Sequence, residues 1–118
     1  MAVHAELTAI TIDCADPRAL ADFYRKVTGW EIAQADDDFV YLGQGPVQLA
    51  FQGVADYRGP GWPDTAKHAH LDFRTADLEA TVEELLSAGA TLPEFQPGGG
   101  EWTVLADPEG HLFCVTAA

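Results

Sequence analysis

The chain has 118 residues, of which 47% are hydrophobic and 21% charged, an ordinary globular composition and one domain's worth of length. Lys and Arg total 6 against 19 Asp and Glu, a formal charge of -13, so the chain repels phosphate backbones and anionic lipid and attracts cations; nucleic acid and membrane are poor partners. No apolar run is long enough to span a bilayer and no basic, apolar leader opens the chain, which reads as cytoplasmic.

Residues 1–6 read as a frayed lead-in, with His4 incidental. Ala9-Ile10-Thr11-Ile12-Asp13 alternates apolar and polar, which predicts a strand over 7–13. Asp16-Pro17 then supplies a helix cap and a first-turn proline, and Leu20, Phe23, Tyr24 and Val27 fall at helical spacing before Gly29, predicting a helix over 17–28. Short strands follow at 30–33 and 39–42 around the polar turn Asp36-Asp37-Asp38, and a fourth at 47–52 after the turn Gly43-Gln44-Gly45-Pro46. The order is β-α-β-β-β.

The long connection 53–67 holds Gly59-Pro60-Gly61-Trp62-Pro63-Asp64 and joins two modules. A tryptophan set between prolines suits either a lid over a pocket or packing on the core rim.

The stretch His68-Ala69-His70-Leu71-Asp72-Phe73-Arg74 follows, predicting a strand over 68–74. Alternation puts Leu71 and Phe73 on one side and His68, His70, Asp72 and Arg74 on the other, so a core face is backed by a face that binds protons, metals or polar ligands. Asp77 caps a second helix over 78–88 with Leu78, Val82, Leu85 and Leu86 in register, stopped by Gly89. Superposing Asp16 on Asp77 aligns Ala9 with His70, Thr11 with Asp72 and Asp13 with Arg74, an internal repeat. Strands at 90–95, 101–106 and 111–116 complete the second module. Gln96-Pro97-Gly98-Gly99-Gly100 has neither a lysine nor a following helix, so it is a connection and not a phosphate cradle. Asp107-Pro108-Glu109-Gly110 is a turn. Cys14 and Cys114, near strand ends in different modules, read as small buried hydrophobes.

The paired modules, Phe23-Tyr24 followed by Gly29-Trp30, His70 opening the second module and the Asp107-Pro108-Glu109-Gly110 turn together resemble the vicinal oxygen chelate superfamily of glyoxalases, extradiol dioxygenases and fosfomycin- and bleomycin-resistance proteins. Trp62-Pro63-Asp64, His70-Leu71-Asp72 and Ala106 to Gly110 resemble its short glyoxalase-like domains, over essentially the whole chain. The resemblance implies an α+β fold of two βαβββ modules, 7–52 and 68–116, whose sheets form half-barrels around a cavity with the helices outside, in one domain over 1–118. Modules of this size bury too little surface alone, so a homodimer is expected.

Metal enzymes of that superfamily hold a divalent ion on histidines and glutamates of the first and last strands of each module. Here the first-strand histidine position falls on Ala9, the fourth-strand glutamate on Ala50 or Gln52 and the last-strand glutamate on Cys114 or a neighbour, leaving His70 alone. One imidazole falls short of the three protein ligands of a catalytic site, and chelation by His68 and Asp72 from the same strand is strained. No resident cofactor is therefore expected; if a divalent metal binds, His70 is its ligand.

Two functions compete. The first is metal-free binding or sequestration of a small organic molecule, cationic or aromatic, with Trp62, Trp102, Phe39 and Tyr41 available for stacking and Thr11, Asp13, Gln52, His68, His70, Arg74 and Cys114 as further contacts. The second is a lyase or isomerase with His70 and Asp72 as catalytic acid and base, since imidazole titrates near neutrality. The bland alternative is a structural hydrogen bond from His70 to Asp72 or Thr11, with Asp13 and Arg74 paired. A different small α+β fold is disfavoured by the repeat.

Overall fold

The computed structural model describes residues 4–59, 61–64 and 66–118, which divide into two compact units meeting at Tyr57 and Arg58.

The first unit consists of β1 (Ala9–Cys14), α1 (Pro17–Thr28), β2 (Ile32–Ala35), β3 (Phe39–Leu42) and β4 (Gln48–Gly53). Its sheet has the order β1-β4-β3-β2, parallel between β1 and β4 and antiparallel elsewhere. The Asp16 carboxylate accepts from the Ala19 amide at 3.1 Å, and Pro17 fills the first turn, where a missing N–H costs nothing. At the other end Gly29, left-handed at φ 74, donates to the Arg25 carbonyl at 2.7 Å. Leu20, Ala21, Phe23 and Tyr24 are the buried face of α1, while Val27, expected on that stripe, is only half-buried. This face packs on β3 and β4, where Tyr24 stacks on Phe51 with ring centroids 5.4 Å apart over the buried Val40, Leu42 and Ala50. The strand expected at 30–33 starts later, at Ile32, because the Thr28 hydroxyl turns back to accept from the Trp30 amide at 3.0 Å and holds the chain out of the sheet.

The second unit consists of β5 (Leu71–Thr75), α2 (Leu78–Ser87), β6 (Trp102–Ala106) and β7 (Leu112–Ala117), with sheet order β5-β7-β6, parallel between β5 and β7 and antiparallel between β6 and β7. Asp77 caps α2 in nearly the backbone geometry of Asp16, φ -129 and ψ 96 against φ -127 and ψ 93, so the repeat read from the sequence is a repeat of local structure. Leu85, Val104, Leu105, Phe113 and Val115 form the buried core of this unit.

Two strand expectations are corrected here. The strand at 68–74 begins only at Leu71, because the ladder with β7 starts at the Leu71–Phe113 pair, leaving His68 and His70 before it. The segment 90–95 contributes a single bridge, Thr91 to Ala106, in place of a strand. Pro93 interrupts it, and the next pairing with β6 is made by a side chain. The Gln96 amide accepts from the Val104 N–H and donates to the Val104 carbonyl, both at 2.8 Å, while also donating to the Pro93 carbonyl at 2.9 Å. Gln96 thus satisfies the outer edge of β6 without a neighbouring strand. Asp107, 2% exposed, fixes the hairpin between β6 and β7: its carboxylate accepts from the Glu109 and His111 amides at 2.8 and 3.0 Å and pairs with His111 Nδ1 at 2.7 Å.

No helix among the described residues is long and apolar enough to cross a membrane.

Candidate functional site

Alternation in the second sheet places Asp72, Cys114 and Val104 side by side on β5, β7 and β6, with Thr116 and Trp102 paired in the next row. His70 sits immediately before β5, and these side chains line one cavity of about 510 Å³ within the second unit. Trp62, Pro97, Trp102 and Val104 give it apolar walls; His70, Asp72, Cys114 and Thr116 give it a polar end. A concave, largely apolar volume with a few convergent polar groups is the general form of a small-molecule site.

Trp62 is held from three sides. Its Nε1 donates to the Phe95 carbonyl at 3.0 Å, its ring lies 5.9 Å from that of Phe95, and the Lys67 ammonium stands 5.4 Å from its centroid. Asp64 organises the adjoining loop by accepting from the Ala66 and Gly61 amides, bonds that hold its carboxyl below the usual carboxylate value. The tryptophan therefore forms a wall of the cavity and packs on its rim as well.

At the polar end, His70 Nε2 lies 3.2 Å from Asp72 Oδ1, with side chains 39% and 69% exposed. The Cys114 thiol is pushed above its ordinary value by burial first and then by the charge and hydrogen bond of Asp72, opposed by the Lys67 ammonium. The thiol thus holds its proton against Asp72 at neutral pH. Because the folded chain binds this proton more tightly than the unfolded one, the contribution of Cys114 to stability fades as pH rises past the ordinary thiol value of 9.0. Asp72→Asn is expected to quicken alkylation of Cys114 by iodoacetamide about threefold or more at about pH 8, and Lys67→Ala to slow it. Intact mass against time reads both rates; an unchanged rate in Asp72→Asn removes the electrostatic link.

One donor atom each from His70, Asp72 and Cys114 lie within 4.8 Å of one another. A nitrogen, an oxygen and a sulfur donor facing a cavity match a divalent late-transition ion such as zinc, with three protein ligands and an open side, better than they match Mg²⁺. The proton on Cys114 must leave first, so affinity for an ion rises with pH.

Of the other contacts named from the sequence, Thr11 and Asp13 on β1 and Gln52 on β4 are exposed in the first unit, where Asp13 and Gln52 are cross-strand neighbours. Phe39 and Tyr41 pack on each other along β3 with centroids 4.9 Å apart. His68 and Arg74 are exposed and do not line the second unit's cavity. Cys14 is fully buried, as read, with its thiol 3.5 Å from the Gln52 carbonyl; Cys114 is not a buried hydrophobe but a cavity residue. Sequence reasoning passed over Thr116, Val104 and Pro97. For the first two, the alternation of β6 and β7 was the available signal.

A four-stranded and a three-stranded mixed sheet, each with one helix, define an α+β protein of the glyoxalase/bleomycin-resistance/dioxygenase fold. The family model described as a glyoxalase-like domain matches residues 9–116, and the chain belongs to that family. Similar solved structures include a glyoxalase/bleomycin resistance protein/dioxygenase family enzyme from Burkholderia phytofirmans PsJN, 21% identical, covering 96% of this chain and 98% of that one at a TM-score of 0.75. A glyoxalase-related enzyme from Fulvimarina pelagi is 23% identical over 96% of this chain and 88% of that one, TM-score 0.69. A glyoxalase/bleomycin resistance protein from Albidiferax ferrireducens T118 is 15% identical over 95% and 98%, TM-score 0.67. No curated protein matches the chain.

Proposed function

We propose that the second unit binds a small organic molecule, its flat or apolar body between Trp62 and Trp102 and its polar end at His70 and Asp72. What supports this most is the cavity itself, which has two indoles in its walls and, among the described residues, ionisable groups whose donor atoms lie within 4.8 Å of one another. His70 Nε2 stands 3.2 Å from Asp72 Oδ1, so an imidazole and a carboxylate are offered together to any donor or acceptor the ligand brings. Binding or sequestration needs no more than this. A screen of aromatic and cationic compounds by thermal shift tests it. His70→Ala is expected to weaken a hit by about tenfold, the scale of one lost hydrogen bond to a charged group, with an unchanged melting temperature. A variant that binds every hit normally places the site elsewhere.

The second reading is a lyase or isomerase, and the three donors favour it. His70, Asp72 and Cys114 would hold a divalent ion, which when bound supplies a Lewis acid for polarising a carbonyl. His70 and Asp72 without an ion still offer an imidazole and a carboxylate side by side, lining the cavity. Elemental analysis of protein purified without chelator and reloaded with Zn²⁺, Ni²⁺, Mn²⁺ or Fe²⁺ separates the readings. One ion per chain, lost in Cys114→Ala, favours the enzyme; none retained after reloading favours the binding protein. We take the acting form to be a cytoplasmic homodimer, the dimer resting on the small core of each unit.

A further inference from the structure

A second cavity, also of about 510 Å³, lies between α2 and β6. It is built by the residue that alternates away from the first cavity, Thr103, together with Leu78 and Val82 of α2 and Leu92, which is 51% exposed. Trp102, 37% exposed, lines this groove and the first cavity as well.

The charges around this groove are of one sign. Glu79 and Glu83, one helical turn apart on α2, line it, and among the described residues no basic one does. Among the described residues neither carboxylate makes an ion pair, and α2 carries no Lys, Arg or His. Like charges at this spacing repel, which a cation between them relieves. An indole adds a negative π face, and the chain's charge of -13 draws cations in.

We propose that the groove is a second ligand site, for an apolar organic cation such as a quaternary ammonium with an aromatic or alkyl body. The ammonium sits between Glu79 and Glu83, and the body lies on Leu78, Val82 and Leu92 against Trp102. The site is independent of His70, Asp72 and Cys114.

Benzyltrimethylammonium, titrated into ¹⁵N-labelled protein with benzyl alcohol as the neutral control, tests this. Saturable shifts at the amides of Val82, Glu83 and Thr103 are expected, with Kd rising about tenfold in the Glu79→Gln/Glu83→Gln double variant, from two exposed ion pairs lost. The same Kd should hold in His70→Ala, and benzyl alcohol should bind more weakly than the cation. Both glutamates are exposed, so the double variant keeps the fold. Shifts centred on His70, Asp72 and Cys114, equal affinity in the double variant, equal binding of the alcohol, or no saturable shift each overturn the proposal.

Discussion

Asp107→Ala lowers the unfolding free energy by about 3 kcal/mol, the largest loss expected from a single side chain of the second unit outside its apolar core. The carboxylate is 2% exposed, and it accepts two backbone N–H groups and the His111 imidazole in a turn closed by the Asp107 N–H to His111 carbonyl bond of 2.9 Å. Alanine leaves those donors without their acceptor in a place water reaches poorly, so the cost is that of unsatisfied groups and not of one net hydrogen bond. Asp107→Asn keeps an oxygen for the two amides and gives up only the charge-assisted bond to His111, so about half the loss is expected. Urea unfolding of both variants, with unchanged denaturant slope, measures this. A loss below about 1 kcal/mol for alanine means that the turn is held by Pro108 and Gly110 alone.

Gly98→Ala removes both stability and ligand binding. A β-carbon there would overlap the Trp102 carbonyl oxygen and stand 2.7 Å from Cδ2 and 2.9 Å from Cε2 of the indole. The backbone oxygen cannot rotate away, and Gly98 is pinned by the Glu101 amide donating to its carbonyl at 3.0 Å. The turn and the indole must shift together, at about 2 kcal/mol for overpacking. Because Trp102 is a wall of the first cavity, a ligand found there is expected to lose about tenfold in affinity. Gly99→Ala is the control: nothing lies within 4 Å of an added β-carbon, and only the left-handed backbone at φ 60 resists it. It should cost about 1 kcal/mol and leave affinity unchanged. Tryptophan fluorescence, thermal melts and ligand titration on the two variants separate the effects. Equal affinity in Gly98→Ala and the parent would falsify the role given to Trp102.

The elements that came straight from the sequence are those fixed by neighbours along the chain. Asp16-Pro17 and Asp77 start their helices, and Phe39–Leu42 is a strand with the bounds expected, because caps, turns and alternation act over a few residues. The strand expected at 68–74 formed only from Leu71 onward, and that at 90–95 did not form, for one reason: a strand exists only where a partner offers its backbone, and that partner is remote in sequence. At 90–95 the partner's edge is taken instead by Gln96, whose side chain substitutes for a strand in a way that no pattern of hydrophobicity marks.

The site divides the same way. That His70 and Asp72 share a polar segment, and that the chain belongs among the glyoxalase-like domains, was legible from spacing and motif order in the sequence. That Cys114 stands opposite Asp72, that its thiol is held protonated there, and that Trp102 borders two cavities was decided only by the pairing of β5, β7 and β6. Local sequence determines conformation and capping because those energies act between adjacent residues. Register between strands brings together groups dozens of residues apart, and the donors, charges and walls of this site are set by that register.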